Sequence, residues 1–209
     1  FPTETIDLPS EGKLYGSDSP LSSGKIEIKY MTAKEEDILT SANLIKKGVA
    51  IDMLLKSLII DNNIDLDDLI LGDKNAVMVA ARILAYGPEY VCEIDNPATG
   101  GKSEQTFNLA DCPFKELDDS IDENLFECEL PISKQKIKFS VLTGKEEVLI
   151  AKDIKASQKI GTGISPELTT RLRYIIKEVD GDNSPAVINQ TALNILARDS
   201  MFLREELTK

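Results

Sequence analysis

Residues 25–39 read KIEIKYMTAKEEDIL, and residues 136–150 read KIKFSVLTGKEEVLI. Aligned without gaps, the two stretches share six identities: Lys, Ile, Thr, Lys, Glu and Glu. In the first, Ile26, Ile28 and Tyr30 alternate with Lys25, Glu27 and Lys29, the period of a half-buried strand. That strand spans residues 25–31 and stops at Thr32, where a helix starts. Thr32 and Glu35 have the spacing of a capping box, in which the threonine oxygen accepts a backbone N–H three residues on and the glutamate reaches back. In the second stretch Phe139, Val141 and Leu142 stand where Ile28, Tyr30 and Met31 stand, and Thr143 and Glu146 repeat the cap. Any strand-to-helix junction favours T-x-x-E, which accounts for two of the six identities. The shared inward pattern needs another cause. Upstream, Asp7-Leu8-Pro9-Ser10 matches Glu129-Leu130-Pro131-Ile132-Ser133, with a different spacing to the strand. The chain reads as a duplication in which strand, cap and helix occur twice.

The expected fold class is α+β: two related lobes, each a strand or hairpin followed by a helical bundle. Residues 1–24 carry three prolines, three glycines and many serines, and are expected to form an extended N-terminal arm. Such an arm either lies across a neighbouring subunit or is a mobile terminus. On the first reading, its deletion weakens assembly more than folding. Residues 25–119 form the first lobe. After the strand come helices over 32–46 and 49–60, the latter with Met53, Leu54, Leu58 and Ile59 on one face. An acidic turn at 61–68 lacks the glycine and terminal glutamate of a calcium loop. Asp73 is expected to cap a helix over 74–86, ended by Gly87-Pro88, and residues 90–94 and 103–109 form a hairpin. A helical turn at 113–117 and the linker Asp118-Asp119-Ser120 follow.

Residues 120–209 form the second, repeat-related lobe. It holds a hairpin of 125–131 with 136–142 and a helix over 145–157, broken by Gly161-Thr162-Gly163. Ser165 then caps a helix to about residue 178, with Pro166 at its first position, and a last helical region spans 185–209 with a break near Asp199. Asp199 sits where Asp73 sits in the first lobe. By analogy a strand pair should follow. The expectation is either that the natural C-terminus lies beyond Lys209, or that the second lobe borrows a strand from a partner.

Composition narrows the chemistry. The 209 residues contain no histidine, which excludes a Ser-His-Asp triad, a Cys-His dyad and any histidine metal site. The formal net charge of -12 opposes a phosphate backbone, and no basic patch interrupts it, so nucleic acid is not an expected partner. Cys92, Cys112 and Cys128 fit no CxxC pattern and read as reduced thiols of a protein made in a reducing cytoplasm. No run is long and apolar enough to span a membrane, and residues 1–4 do not open a secretory signal. Gly161-Thr162-Gly163 lacks the Lys-Ser of a phosphate loop. Asn96-Pro97-Ala98-Thr99-Gly100 has the outline of a zinc knuckle, but Asn96 and Thr99 replace the thiolates, so no metal is expected. Arg171, Arg173, Arg198 and Arg204 are expected in surface ion pairs. No catalytic, cofactor-binding or metal-binding residue is assigned, and no cofactor is expected.

Leu8-Pro9-Ser10, the strand with Thr32-x-x-Glu35-Glu36, and Gly72-Asp73-Lys74-Asn75 with Arg82 and Tyr86-Gly87 together resemble one phage family. It is the baseplate hub protein family of T-even-like contractile-tailed phages, common in phages of marine cyanobacteria. The resemblance covers most of residues 6–150 and extends more weakly to the end. It implies a non-enzymatic structural component of the tail baseplate, a virion protein assembled in the host cytoplasm. Its implied partners are other baseplate or tail-hub proteins, with multiple copies in a symmetric assembly and no membrane contact. A cytoplasmic assembly chaperone for the hub is the alternative, and a hydrolase using a pair of acids is a remote one.

Overall fold

The computed structural model describes residues 2–98, 100–113, 116–159 and 165–208. It is a mixed α+β chain that divides into two units. The first comprises Phe1–Gly12, Gly16–Leu66 and Gly72–Asp118; the second comprises Lys13–Tyr15, Asp67–Leu71 and Asp119–Lys209.

In the first unit β1 (Thr3–Asp7) pairs antiparallel with β2 (Lys25–Lys29), placing Ile6 opposite Ile26 and Asp7 opposite Lys25. The helices α1 (Ala33–Thr40), α2 (Ala42–Lys47) and α3 (Ala50–Leu58) follow, then α4 (Leu71–Tyr86), of which all but Leu71 belong to this unit. The helix expected over 32–46 is interrupted at Ser41, whose backbone is extended. Helix α3 buries Ala50, Leu54, Leu55 and Leu58, while Met53, expected on that face, is exposed. A ribbon of β3 (Glu89–Asp95) and β4 (Lys102–Asn108) closes the unit.

The arm expected over residues 1–24 is not an arm. Its first residues are a strand of the unit's own sheet, and Leu8 and Leu21 are buried. The prolines and serines that suggested an unpacked segment build local turns. The Ser19 hydroxyl accepts the Leu21 N–H at the head of a short 3-10 turn over Pro20–Ser23. Deleting residues 1–24 would remove half of that sheet, so a loss of folding is expected together with any loss of assembly.

In the second unit β5 (Phe126–Glu129), β6 (Lys136–Phe139) and β7 (Ile176–Val179) form an antiparallel sheet with β6 central. The helices are α5 (Gly144–Lys159), α6 (Glu167–Ile175), α7 (Pro185–Asn194) and α8 (Ala197–Glu206). Leu130, Ile137, Phe139, Ile150, Leu172, Ile176, Val179, Ala192 and Leu203 make the core, and the rings of Phe126 and Phe139 stack at 5.6 Å. Four expectations shift here. Pro166 is the N-cap of α6, not its first residue; that helix ends at Ile175; residues 176–179 are a strand; and the last helical break lies at Ile195–Leu196. The expected break at Gly161-Thr162-Gly163 lies outside the described residues, as do Thr99 and part of the turn expected at 113–117.

Internal geometry makes the two units counterparts. Leu8 N–H donates to Gly24 O at 2.8 Å, and Leu130 N–H to Gln135 O at 2.9 Å. Asp7 lies opposite Lys25 as Glu129 lies opposite Lys136. Ile28 bridges Ile59, the residue capping α3, as Phe139 pairs with Ile176, the residue capping α6. Both turns after Leu-Pro end in a non-glycine residue of positive φ, Glu11 at 54° and Lys134 at 60°. Both strands enter helices capped at the expected threonines: Thr32 N–H donates to the Glu35 carboxylate at 3.0 Å and Thr143 N–H to Glu146 at 2.9 Å. One position departs for a visible reason. Ala33 of the first repeat becomes Gly144, where a Cβ would lie 2.9 Å from the backbone of Asp67, a segment of the same unit.

The first cap holds its carboxylate well below the ordinary range. Glu35 is buried, and hydrogen bonds from the Thr32 hydroxyl and the Lys29 ammonium lower its pKa from 4.5 to about 2, against burial, which raises it. A carboxylate with a depressed folded-state pKa stabilises above its ordinary value and loses that contribution as pH falls through the folded value. The expected result is a stability loss between pH 4.5 and about 2. Its size is about 2–3 kcal/mol. Glu35→Gln should flatten that part of the curve in urea titrations across pH; an unchanged slope would rule the cap out as its source.

Candidate interaction surface

The β3–β4 ribbon is built from alternation. Tyr90, Cys92 and Ile94 point to one face, and the register sets Phe107, Gln105 and Ser103 opposite them. The other face carries Glu89, Val91, Glu93 and Asp95 opposite Asn108, Thr106, Glu104 and Lys102. Lys102 pairs with Glu93 at 3.1 Å across the strands. The turn between them holds through its own backbone. Asn96 N–H donates to Gly101 O at 2.7 Å, and the Asn96 side chain accepts Ala98 N–H at 3.0 Å, so this asparagine acts as a turn former.

Nearly the whole ribbon is exposed; only Cys92 and Ser103 are half-buried. Tyr90 is 45% exposed and Phe107, directly across from it, 49%. The base of the ribbon, by contrast, is held firmly. Arg82 of α4 donates to Gly87 O at 3.1 Å and lies over the Tyr86 ring, 4.8 Å from its centroid. The Tyr86 hydroxyl donates to Glu36 at 3.0 Å, and that carboxylate, with burial, raises the tyrosine pKa. Leu109 N–H closes the base on Pro88 O at 2.8 Å.

The other sequence candidates fall into structural roles. Arg171 grips Glu147 with two hydrogen bonds, at 2.5 and 3.0 Å, and Arg173 approaches Asp153 at 3.7 Å. Arg204 donates to Ser200 O, and Arg198 is exposed on α8. Cys92, Cys112 and Cys128 are free thiols. Burial, with Glu206 and Glu127 nearby, pushes Cys128 up to about 11, far from a reactive thiolate at neutral pH. The acidic stretch 61–68 is a turn in which Asp61 accepts the Asn63 N–H, followed by a short 3-10 turn over Leu66–Asp68. Among the described residues no group of three His, Cys, Asp or Glu side chains is placed to hold a metal ion, and no helix is long and apolar enough to cross a membrane.

Sequence reading missed the use made of Asp73 and Asp199. Each is the third residue of its helix, α4 or α8, and each is fully buried. Asp73 accepts the Ser10 N–H at 3.0 Å and the Ser10 hydroxyl at 2.6 Å. Asp199 accepts the N–H groups of Ile132 and Ser133 at 2.8 and 3.0 Å. Each therefore ties the turn after Leu-Pro to the last helix of its repeat. The first turn is one residue shorter, and the Ser10 hydroxyl supplies the second donor. The repeated Leu-Pro was the available signal, but nothing local identifies its distant acceptor. The chain matches no protein-family model, and neither a curated protein nor a solved structure is significantly similar to it.

Proposed function

We propose that this chain is a non-catalytic structural component of a phage tail baseplate, in its hub region, and that it works through protein contacts. The observation that carries the contact role is the β3–β4 ribbon, firmly held at its base while Tyr90, Val91, Ile94 and Phe107 stand in solvent. An isolated two-stranded ribbon is marginal in water, so exposed apolar side chains on one favour a covering partner. The baseplate assignment draws support from the motif resemblance, and those motifs have structural uses. Ser10 and Asp73 form a lock, Thr32 and Glu35 a cap, and Arg82 with Tyr86-Gly87 the ribbon base. Mass spectrometry of purified particles and of infected cells tests the reading. Presence in particles, at a copy number comparable with other baseplate proteins, is expected. Abundance in cells with absence from particles would replace the component with an assembly chaperone.

A further inference from the structure

We propose that the uncharged face of the β3–β4 ribbon, centred on Tyr90, Ile94 and Phe107, docks into an apolar cleft rimmed by lysine or arginine on a different protein. This rests on the contact role proposed above and names the partner's chemistry.

The two faces of the ribbon differ in charge. Tyr90, Cys92, Ile94, Ser103, Gln105 and Phe107 present no charged side chain. The other face carries Glu89, Glu93, Asp95 and Glu104 against Lys102 alone, and Lys102 is already paired with Glu93. A partner covering the apolar face thus meets carboxylates as soon as it reaches round either edge: Glu89, Glu93 and Asp95 on β3, Glu104 on β4. Charges at the rim of an interface select by sign and speed encounter, and a cationic rim fits here.

A second copy of this chain fits poorly. Each strand has seven residues, so one face of the ribbon measures roughly 24 by 10 Å, far below the ~800 Å² per partner of a stable interface. Edge pairing of β3 with itself, antiparallel about Cys92, would set Glu89 against Asp95. Each copy also carries a formal charge of -12. The missing area must come from a partner whose walls rise along both edges of the uncharged face, which means a cleft.

The test uses the full chain, in the cells that normally produce it, with a photoreactive benzoyl-phenylalanine placed at Phe107 or at Thr106. These neighbours point to opposite faces. The expected result is a cross-link from position 107 to one other protein, at a site flanked by Lys or Arg, and little from position 106. Reversing Glu89, Glu93 and Glu104 to Lys should lower the yield at least about tenfold, as should raising salt in an extract of those cells that holds the chain with its native charges. The salt series keeps the test decisive if the reversed variant fails to fold by circular dichroism. A cross-link to a second copy, to a site without basic residues, or equally from position 106 overturns the partner assignment and leaves the contact role standing. No cross-link from either position, nor from Tyr90, overturns both.

Discussion

Replacing Asp73 with Ala is expected to cost about 3–5 kcal/mol and to unfold the first unit at temperatures the native chain survives. The carboxylate is fully buried, and so is Ser10, whose N–H and hydroxyl both donate to it. The substitution leaves two buried donors without that acceptor and opens a void at the start of α4. Asp73→Asn should lose roughly half as much, since its carbonyl still accepts one donor while its amide meets the other. Asp199→Ala strikes the corresponding lock in the second unit, where the orphaned donors are the backbone N–H groups of Ile132 and Ser133. Here pH adds a check. Burial raises the Asp199 pKa, but the hydrogen bonds from Ile132 and Ser133 outweigh it and the net shift is downward. Its contribution is therefore present above the ordinary carboxylate range and lost as pH falls below it. Urea denaturation at neutral pH measures both variants, and amide exchange at Ile132 and Ser133 reports the second lock directly. Losses below about 1 kcal/mol in both would remove the locks from the account of the fold.

What could be read in the residues depended on how far each signal reached. The T-x-x-E caps and the alternation leading into them are local, and both strands entered helices where the pattern placed them. The ribbon was equally legible from Tyr90, Cys92 and Ile94, but its exposure was not, because alternation tells which residues share a face and not what covers it. Strand β7 was hidden by helical spacing. Leu172, Ile175, Ile176 and Val179 follow i, i+3, i+4, i+7, yet the helix ends at Ile175 and the last two reach the core from a strand. A register shift between Lys138 and Phe139 lets Ile176 and Val179 both turn inward. Strand β1 was hidden by composition, since Ile6 is the only aliphatic residue among Thr3–Asp7 and its partner strand lies beyond a loop rich in Pro, Gly and Ser. The locks were beyond local reading altogether, as Ser10 and Asp73 stand 63 residues apart.

That loop supplies the second large effect. In the second unit the chain passes from Lys134 directly to Gln135; in the first, the corresponding Glu11 and Gly24 are separated by residues 12–23. The excursion returns on itself so closely that a Cβ on Gly12 would lie 2.3 Å from Ser22 O and 2.6 Å from Gly24 N. Gly12 also has φ +80°, a region that side chains resist. Because the obstacle is backbone on a crossing that Gly24 closes from the other side, no rotamer relieves it. Gly12→Ala is expected to cost about 3–5 kcal/mol, more than the ~1 kcal/mol of a positive-φ glycine in open space. Gly48 is such a site, with φ +71° and nothing within 4 Å of where a Cβ would stand, so Gly48→Ala is the internal control for conformational strain without collision. Thermal denaturation of the two variants separates the causes. Equal losses would mean the crossing yields readily; a much larger loss at Gly12 would identify backbone contact at the base of the loop as what sets the path from β1 into β2.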